Sequence, residues 1–178
     1  MQVKTFYFNP YRECTYLLIN DDGQAIVIDA GMSSESEQAR FAQYVDQQQL
    51  QLVGLLITHT HPDHVCGLAF LEQHYHLSAT IQPEAGVITF PGFAIEVIPT
   101  PGHKEDCVCY YLPQEHILFT GDTLFQESIG RTDLSGGDMH TLICSLKQLV
   151  VLPEETIVYP GHGYPTSIGH EKIYNPYL

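Results

Sequence analysis

The sequence has few basic residues, no long apolar run and no paired-cysteine motif, and each absence excludes a class of protein. Seven Lys and Arg residues stand against 21 Asp and Glu, which gives a formal net charge of -14 at pH 7. Such a surface repels nucleic acid, so we expect no nucleic-acid partner. The longest apolar stretch, around residues 50–58, is far shorter than the roughly 18 residues of a membrane-spanning helix. We therefore expect no membrane partner either.

The N-terminal residues and the cysteines favour a reducing compartment. The first ten residues, M-Q-V-K-T-F-Y-F-N-P, lack the apolar segment of about 7–15 residues that marks a secretory signal peptide. The five cysteines are odd in number and form no C-x-x-C pair, which favours reduced thiols buried as small apolar side chains. We expect a cytoplasmic protein without disulfide bonds.

The length and the order of short strands and helices predict one α+β domain, residues 1–178. A chain of 178 residues lies within the roughly 100–200 residues that usually form one domain. Two strands, 15–20 and 24–30, are predicted to open the fold as a hairpin around Asp21-Asp22-Gly23. Ser33 or Ser34 is a candidate cap for the helix that follows, and residues 52–58 predict a buried strand.

Strands outnumber helices in the rest of the chain, which favours sheets covered by helices. Further strands are predicted at residues 80–82, 87–90, 93–98, 107–112, 116–120 and 156–159. Asp138 is expected to cap a helix over residues 139–151, and Ser167 a short terminal helix.

The polar cluster T-H-T-H-P-D-H, residues 58–64, lies where the buried strand 52–58 ends and a helical pattern begins. Side chains two residues apart in an extended segment point to the same side, so His59 and His61 can converge on one metal ion. Pro62 then turns the backbone. Asp63 and His64 therefore leave in another direction and can reach a second ion.

Three later turns add candidate ligands, each beside a glycine where a predicted strand ends. They carry His103 after Gly102, Asp122 after Gly121 and His162 after Gly161. The seven candidates are thus His59, His61, Asp63, His64, His103, Asp122 and His162. Imidazole and carboxylate without thiolate suit zinc, iron or manganese. We expect two divalent ions, with zinc as the first choice and Asp122 as a bridging carboxylate.

With these motifs the sequence resembles the metallo-β-lactamase superfamily, whose H-x-H-x-D-H motif stands here at residues 59–64. The resemblance implies a four-layer αββα sandwich. It implies one ion held by His59, His61 and His103, a second held by Asp63, His64 and His162, and Asp122 between them. The segment V-I-D-A-G, residues 27–31, is similar to an early strand of the family, which implies that Asp29 supports the site. A simple turn acid is the alternative for Asp29.

Other motifs are similar to one branch of that superfamily. T-G-D-T-L-F at 120–125 and I-G-R-T-D at 129–133 resemble glyoxalase II and the persulfide dioxygenases. The ending P-G-H-G, with S-x-G-x-E at 167–171 and N-P at 175–176, resembles short bacterial glyoxalase II-like proteins. Longer glyoxalase II enzymes carry a C-terminal helical region with basic residues that hold the glutathione carboxylates, and this chain ends soon after His162. Arg131 is expected to bind substrate or to brace its loop through Asp133.

These features predict a metal-dependent hydrolase of a small thioester, such as an S-2-hydroxyacylglutathione. A bound metal ion can lower the pKa of water from about 15.7 to about 7, and Asp63 and Asp122 are expected to orient the attacking oxygen. A thiol, with a pKa of about 8.5, leaves without a separate general acid. The alternatives are a persulfide dioxygenase-like enzyme with one iron on His59, His103 and Asp122, a hydrolase of another ester or lactone, and a metal-binding protein without turnover.

Overall fold

The computed structural model describes all 178 residues, Met1–Leu178, which divide into two compact units. Unit 1 comprises residues 1–81 and 89–93, and unit 2 comprises residues 82–88 and 94–178. Each unit is built around one β-sheet with its own helices and apolar core. None of the helices has both the length and the apolar composition needed to cross a membrane.

Unit 1 contains a five-stranded mixed sheet and three helices. Its elements are β1 (Gln2–Phe8), β2 (Glu13–Ile19), β3 (Gln24–Ile28), α1 (Glu35–Gln47), β4 (Gln51–Ile57), α2 (Pro62–Val65), α3 (Leu68–Tyr75) and β5 (Ala79–Ile81). The strand order is β1-β2-β3-β4-β5. The first two pairs are antiparallel, whereas β3, β4 and β5 run parallel because α1 and α2–α3 return the chain.

The start of α1 follows directly from its sequence. Ser34 caps the helix by accepting a hydrogen bond from the backbone N–H of Glu37, and the Glu37 carboxylate bonds back to the Ser34 backbone. This capping box satisfies N–H groups that have no partner inside the helix. The helix then buries Phe41 and Val45 in the core of unit 1. Of the two candidate caps, Ser33 and Ser34, the structure shows Ser34 in this role.

The second sheet has six strands and is accompanied by a short hairpin and two helices. The elements are β6 (Gly86–Phe90), β7 (Phe93–Pro99), β8 (Val108–Leu112), β9 (Ile117–Gly121), β10 (Leu124–Phe125), β11 (Ser128–Ile129), α4 (Met139–Leu149), β12 (Ile157–Pro160), β13 (Thr166–Ser167) and α5 (Ile168–Tyr174). The sheet order is β13-β12-β9-β8-β7-β6, and β10 pairs only with β11. The predicted caps Asp138 and Ser167 are confirmed for α4 and α5.

The strand directions decide which loops meet at one edge of each sheet. In the second sheet, β7 and β9 are each antiparallel to β8, and β9 is parallel to β12. The carboxyl ends of β7, β9 and β12 therefore lie at the same edge. In unit 1, β3 and β4 are parallel and β2 is antiparallel to β3. The ends of β3 and β4 thus share an edge with the beginning of β2.

Three sequence-based expectations need correction. β1 precedes the two strands that were expected to open the fold, and the β10–β11 hairpin was not expected at all. All five cysteines are free, as predicted, but Cys66 and Cys144 are exposed. Cys66 is the C-cap residue that follows the single turn of α2. Its Sγ lies 3.2 Å from the Gly31 carbonyl oxygen while the side chain remains open to solvent.

Candidate metal centre

Four predicted ligands follow β4 in unit 1 and form the N-terminal cluster: His59, His61, Asp63 and His64. His61 is the extended N-cap residue of α2, and Pro62 begins the helix. The Nε2 atom of His59 lies 3.1 Å from Nδ1 of His61. Tetrahedral ligands with metal–nitrogen bonds of about 2.0–2.1 Å are about 3.3 Å apart. Two imidazole nitrogens at this separation can bind the same ion.

Hydrogen bonds to the far side of two imidazole rings set which nitrogen faces a metal ion. Nδ1 of His64 lies 2.9 Å from Oδ2 of Asp29, and since a carboxylate only accepts, this nitrogen carries the proton. The Thr58 hydroxyl donates to the same Asp29 oxygen at 2.8 Å and can accept from Nδ1 of His59 at 3.2 Å. The Nε2 lone pairs of His59 and His64 are therefore available for metal coordination.

Asp29 is the buried residue whose hydrogen bonds position this cluster. It follows β3 in the left-handed region, with φ of 61°, and is almost fully buried. Besides the His64 ring and the Thr58 hydroxyl, it accepts the Thr58 backbone N–H at 2.8 Å. Asp29 thus ties the end of β3 to the loop after β4 and holds a ligand ring, as expected of a residue that supports a metal site.

Sequence reasoning missed Glu13, a second buried acid in the same region. It begins β2 and is fully buried, where its carboxylate accepts a hydrogen bond from the Thr15 hydroxyl at 2.9 Å. Its Oε1 lies 4.0 Å from Nδ1 of His64. Burial raises the pKa of Glu13 well above its ordinary value, against the opposite effect of His64. The sequence feature that could have indicated Glu13 is a glutamate at the first position of a mostly apolar strand.

The other three predicted ligands lie in unit 2 and form the C-terminal cluster: His103, Asp122 and His162. They follow β7, β9 and β12, whose carboxyl ends share one edge. One oxygen of Asp122, Oδ2, lies 3.5 Å from Nε2 of His103. The other, Oδ1, lies 3.7 Å from Nε2 of His162. Each carboxylate oxygen therefore faces a different imidazole, an arrangement that allows the carboxylate to bridge two ions through separate oxygens.

A backbone carbonyl fixes the orientation of His103. Nδ1 of His103 donates to the Arg131 carbonyl oxygen at 2.7 Å, so that Nε2 is the ring nitrogen that faces Asp122 and can serve as the metal ligand. Gly130, the preceding residue, passes so close to the Asp122 backbone that a Cβ at Gly130 would collide with the Asp122 carbonyl oxygen. Glycine at this position lets the Arg131 carbonyl reach the ring.

Two basic side chains lie in the loops beside the C-terminal cluster, and each pairs with an acid two residues further along. Arg131 makes a bidentate contact with Asp133, with Nε–Oδ1 and Nη2–Oδ2 distances of 2.7 and 2.8 Å. Hydrogen bonds from Arg131 lower the pKa of Asp133 to about 2. Nζ of Lys104 lies 2.8 Å from Oδ2 of Asp106. The Arg131–Asp133 contact is the loop brace that the sequence offered as an alternative to substrate binding.

The donor chemistry fits a borderline divalent metal. Both clusters present imidazoles whose Nδ1 atoms, on His59, His64 and His103, are held by hydrogen bonds so that Nε2 is left to face a metal, together with carboxylates and no thiolate. Such donors suit zinc, iron and manganese. The buried supports of these rings match the outer hydrogen bonds that usually accompany metal-bound histidine. The chain therefore has His and Asp side chains of the kind that hold divalent metal ions.

Comparisons with known proteins identify the class. The sequence model of the Metallo-beta-lactamase superfamily matches residues 10–87 and 77–162. Hydroxyacylglutathione hydrolase GloC of Haemophilus influenzae is 30% identical, covering 100% of this chain and 98% of that protein. Probable metallo-hydrolase YqgX of Bacillus subtilis is 32% identical, covering 95% and 93%.

Solved structures agree with the family match. The BLEG-1 B3 metallo-beta-lactamase superposes with a TM-score of 0.94 at 30% identity, covering 99% of both chains. ETHE1 from Myxococcus xanthus has a TM-score of 0.89 at 30% identity, covering 99% of this chain and 84% of its own. The di-iron-bound form of TTHA1623 has a TM-score of 0.88 at 31% identity, covering 98% and 100%.

The fold and the histidine-rich donor set define a metallo-hydrolase-type protein. The chain belongs to the metallo-β-lactamase superfamily, and the predicted α+β fold class is confirmed.

Proposed function

We propose that the N-terminal and C-terminal clusters together hold two divalent metal ions, and that the protein hydrolyses a small thioester of the S-2-hydroxyacylglutathione type. One ion would be bound by His59, His61 and His103. The other would be bound by Asp63, His64 and His162, with Asp122 as a ligand to both. Zinc is the metal that we propose first.

The position of Asp122 is the observation that carries this proposal. Its two oxygens face two different imidazole nitrogens, at 3.5 Å for His103 and 3.7 Å for His162. A carboxylate that bound a single ion would need only one of these two imidazoles beside it. The di-iron-bound relative TTHA1623, at 31% identity over 98% of this chain and 100% of its own, supports a two-metal centre of this kind.

The chemistry that two bound divalent ions supply is a water nucleophile active near pH 7 and polarisation of the substrate carbonyl. Asp63 and Asp122, as carboxylates, accept a hydrogen bond from the attacking oxygen and orient it toward the carbonyl carbon. Asp29 and the Arg131 carbonyl keep the rings of His64 and His103 in one tautomer. The ligand geometry is thus set before the substrate arrives, so little reorganisation is needed during reaction.

The leaving group favours a thioester over an amide. A thiol with a pKa of about 8.5 leaves as a thiolate without a protonated side chain beside it, whereas an amine needs a proton donor. The basic side chains near the C-terminal cluster, Lys104 and Arg131, are already paired with Asp106 and Asp133. The relative GloC, named as a hydroxyacylglutathione hydrolase, supports the thioester class. Free cysteines agree with the cytoplasmic location that we propose for the enzyme.

Elemental analysis of untagged protein, combined with a substrate panel, tests this function. The panel consists of S-lactoylglutathione, a second glutathione thioester, a lactone, a cephalosporin and glutathione persulfide. We expect about two metal ions per chain and release of free thiol from the thioesters. Two ions with turnover only of the lactone or the cephalosporin would contradict the thioester assignment but still support the two-metal centre.

A mononuclear iron oxygenase is the second candidate, because ETHE1 from Myxococcus xanthus superposes at 30% identity and the sequence resembles the persulfide dioxygenases. This enzyme would use His59, His103 and Asp122 alone. It predicts one iron per chain and oxygen uptake with glutathione persulfide. Thioester cleavage without oxygen uptake would exclude it.

A further inference from the structure

Glu171 is a buried charged residue that the proposed chemistry does not use. It lies in the first turn of α5 and has no solvent exposure. Its Oε1 accepts a hydrogen bond from the Thr166 hydroxyl at 2.6 Å. Its Oε2 accepts the backbone N–H of Glu127 and the side-chain amide of Asn175, both at 2.8 Å. Three donors from three segments of the chain therefore converge on one buried carboxylate.

One of these contacts, together with a further hydrogen bond from Asn175, holds the β10–β11 hairpin against α5 and its C-cap residue. The Glu127 N–H belongs to the turn of the hairpin, and the Asn175 amide also donates to the Ser128 carbonyl oxygen at 3.0 Å. Glu127 has φ of 53°, a left-handed conformation that is unfavourable for a non-glycine residue. Glu171 and Asn175 restrain this turn through its backbone. The His170 ring adds a contact to the Glu127 side chain at 2.9 Å.

Residues of the hairpin and of the segment after it contact both histidines of the C-terminal cluster. On β10, the Phe125 ring packs edge-on against His162, with ring centroids 6.2 Å apart. After β11, Gly130 lies against the Asp122 backbone, and the Arg131 carbonyl oxygen accepts the His103 Nδ1 proton at 2.7 Å. A displacement of the hairpin would therefore move the groups that orient both rings.

We propose that Glu171 and Asn175 are positioning residues for the metal centre, acting through the β10–β11 hairpin on His103 and His162. This inference rests on the proposed function, in which these histidines are metal ligands. Removing the Glu171 carboxylate takes away the acceptor of the Glu127 N–H and one of the two acceptors of the Asn175 amide in a buried region, which is unfavourable because buried polar groups are left unsatisfied. The hairpin relaxes, and the Arg131 carbonyl no longer holds His103 in one tautomer.

The test compares Glu171→Ala with Glu171→Gln and with the control Glu154→Gln. Gln keeps one acceptor oxygen for the Glu127 N–H and can donate to the Thr166 hydroxyl, so it preserves most of the contacts. Glu154 forms an ion pair with Lys172 of α5, at 3.3 Å, but has no contact with the hairpin. Zinc affinity is measured by competition with a chromophoric chelator. The His103 Nδ1–H signal is followed by proton NMR of zinc-loaded protein and assigned by its absence in His103→Gln.

We expect Glu171→Ala to bind zinc about 10-fold more weakly, the lower end of the effect of outer hydrogen-bond partners, and to lose or broaden the His103 Nδ1–H signal. Glu171→Gln and Glu154→Gln should keep wild-type affinity and the signal. A folded Glu171→Ala with unchanged affinity and signal overturns the proposal.

If Glu171→Ala does not fold, Asn175→Ala decides, since it removes the Ser128 contact and leaves Glu171 with two donors. Unchanged zinc affinity and an unchanged His103 signal in Asn175→Ala then overturn the proposal. A wild-type protein that binds fewer than two zinc ions contradicts the proposed function instead, so the two failures are distinguishable.

Discussion

At the scale of single residues, the two aspartates Asp122 and Asp29 have different tasks. Asp122 faces His103 and His162 with separate oxygens, so it is the ligand that two ions would share. Asp29 touches no ion in our proposal; it orients the His64 ring and the loop after β4. Substitutions of the two residues should therefore differ in their effects on metal number and metal affinity.

Replacing Asp122 by Ala should remove metal and activity together. Without the shared carboxylate, neither ion keeps its full set of ligands, so we expect the metal content to fall from about two ions to about one or fewer, and thioester hydrolysis to fall about 100-fold or more. Elemental analysis and a thiol-release assay measure both. Asp46→Ala, an exposed position on α1, is the control. Two tightly held ions in Asp122→Ala would contradict the bridging role.

Asp29→Asn should weaken metal binding without removing a ligand. Asn tolerates the left-handed conformation of this position, and its carbonyl oxygen can still accept the Thr58 N–H. Its amide then faces Nδ1 of His64 and pushes the ring proton toward Nε2, the nitrogen intended for the metal. We expect zinc affinity to fall about 10–100-fold, measured by chelator competition. Asp21→Asn, in the exposed β2–β3 turn, should bind like wild type, and equal affinity in Asp29→Asn would refute the tautomer argument.

At the scale of elements, the first turn of α1 links helix formation to the N-terminal cluster. The Glu37 carboxylate accepts the Asn9 backbone N–H at 2.7 Å. The Asn9 side-chain amide in turn donates to the backbone carbonyls of Gly31 and Asp63, both at 3.0 Å. The Glu37 carboxylate of the capping box is thus connected, through Asn9, to the backbone of the predicted metal ligand Asp63.

The contribution of Glu37 to stability should depend on pH. Partial burial alone would raise the pKa of Glu37, but hydrogen bonds from Ser33, Asn9 and Ser34 outweigh it and lower the pKa below its ordinary value. The carboxylate therefore stabilises the fold above the unfolded-state pKa of about 4.3, and this stabilisation is lost as the pH falls through the folded-state pKa.

We expect metal-free Glu37→Ala to be about 1 kcal/mol less stable than wild type at about pH 7, with the difference shrinking below about pH 4. Urea unfolding of EDTA-treated protein at several pH values measures the free energy of unfolding. Glu35→Ala, in the same first turn, is the control. A deficit in Glu37→Ala that stays constant with pH would show that the carboxylate charge is not responsible.

At the scale of the whole molecule, negative charge and metal binding are coupled. The chain has a formal net charge of -14 at pH 7, and acidic side chains are among the proposed ligands. Divalent cations therefore relieve repulsion as well as filling coordination sites. A protein of this kind should be markedly less stable without its metals.

Chelation with EDTA should lower the thermal unfolding midpoint, and added zinc should restore it. A ligand at 100 times its dissociation constant stabilises the folded state by about 2.7 kcal/mol, which corresponds to about 5–10 °C for a chain of this size. Differential scanning calorimetry measures the shift. Magnesium at equal ionic strength, which prefers oxygen ligands, should restore little. An unchanged midpoint after verified metal removal would argue against a structural contribution of the metals.

Most elements and all proposed ligands were accessible from the sequence because their signals are local. Ser34 and Asp138 are caps defined by the residues beside them, and the histidines are spaced within one short segment. β1 was not predicted because its sequence mixes polar and aromatic residues, and it forms a strand only by pairing with β2. The β10–β11 hairpin escaped for a similar reason: two-residue strands have no periodicity to detect.

The sequence by itself determined the types of donor atom, their order along the chain and the strand ends that carry them. Only the tertiary structure decided that Asp122 divides its oxygens between His103 and His162, that Glu13 is buried near His64, and that Glu171 supports the hairpin. The reason is that side-chain direction depends on strand register and on contacts between distant segments. Neither is written in any local pattern of residues.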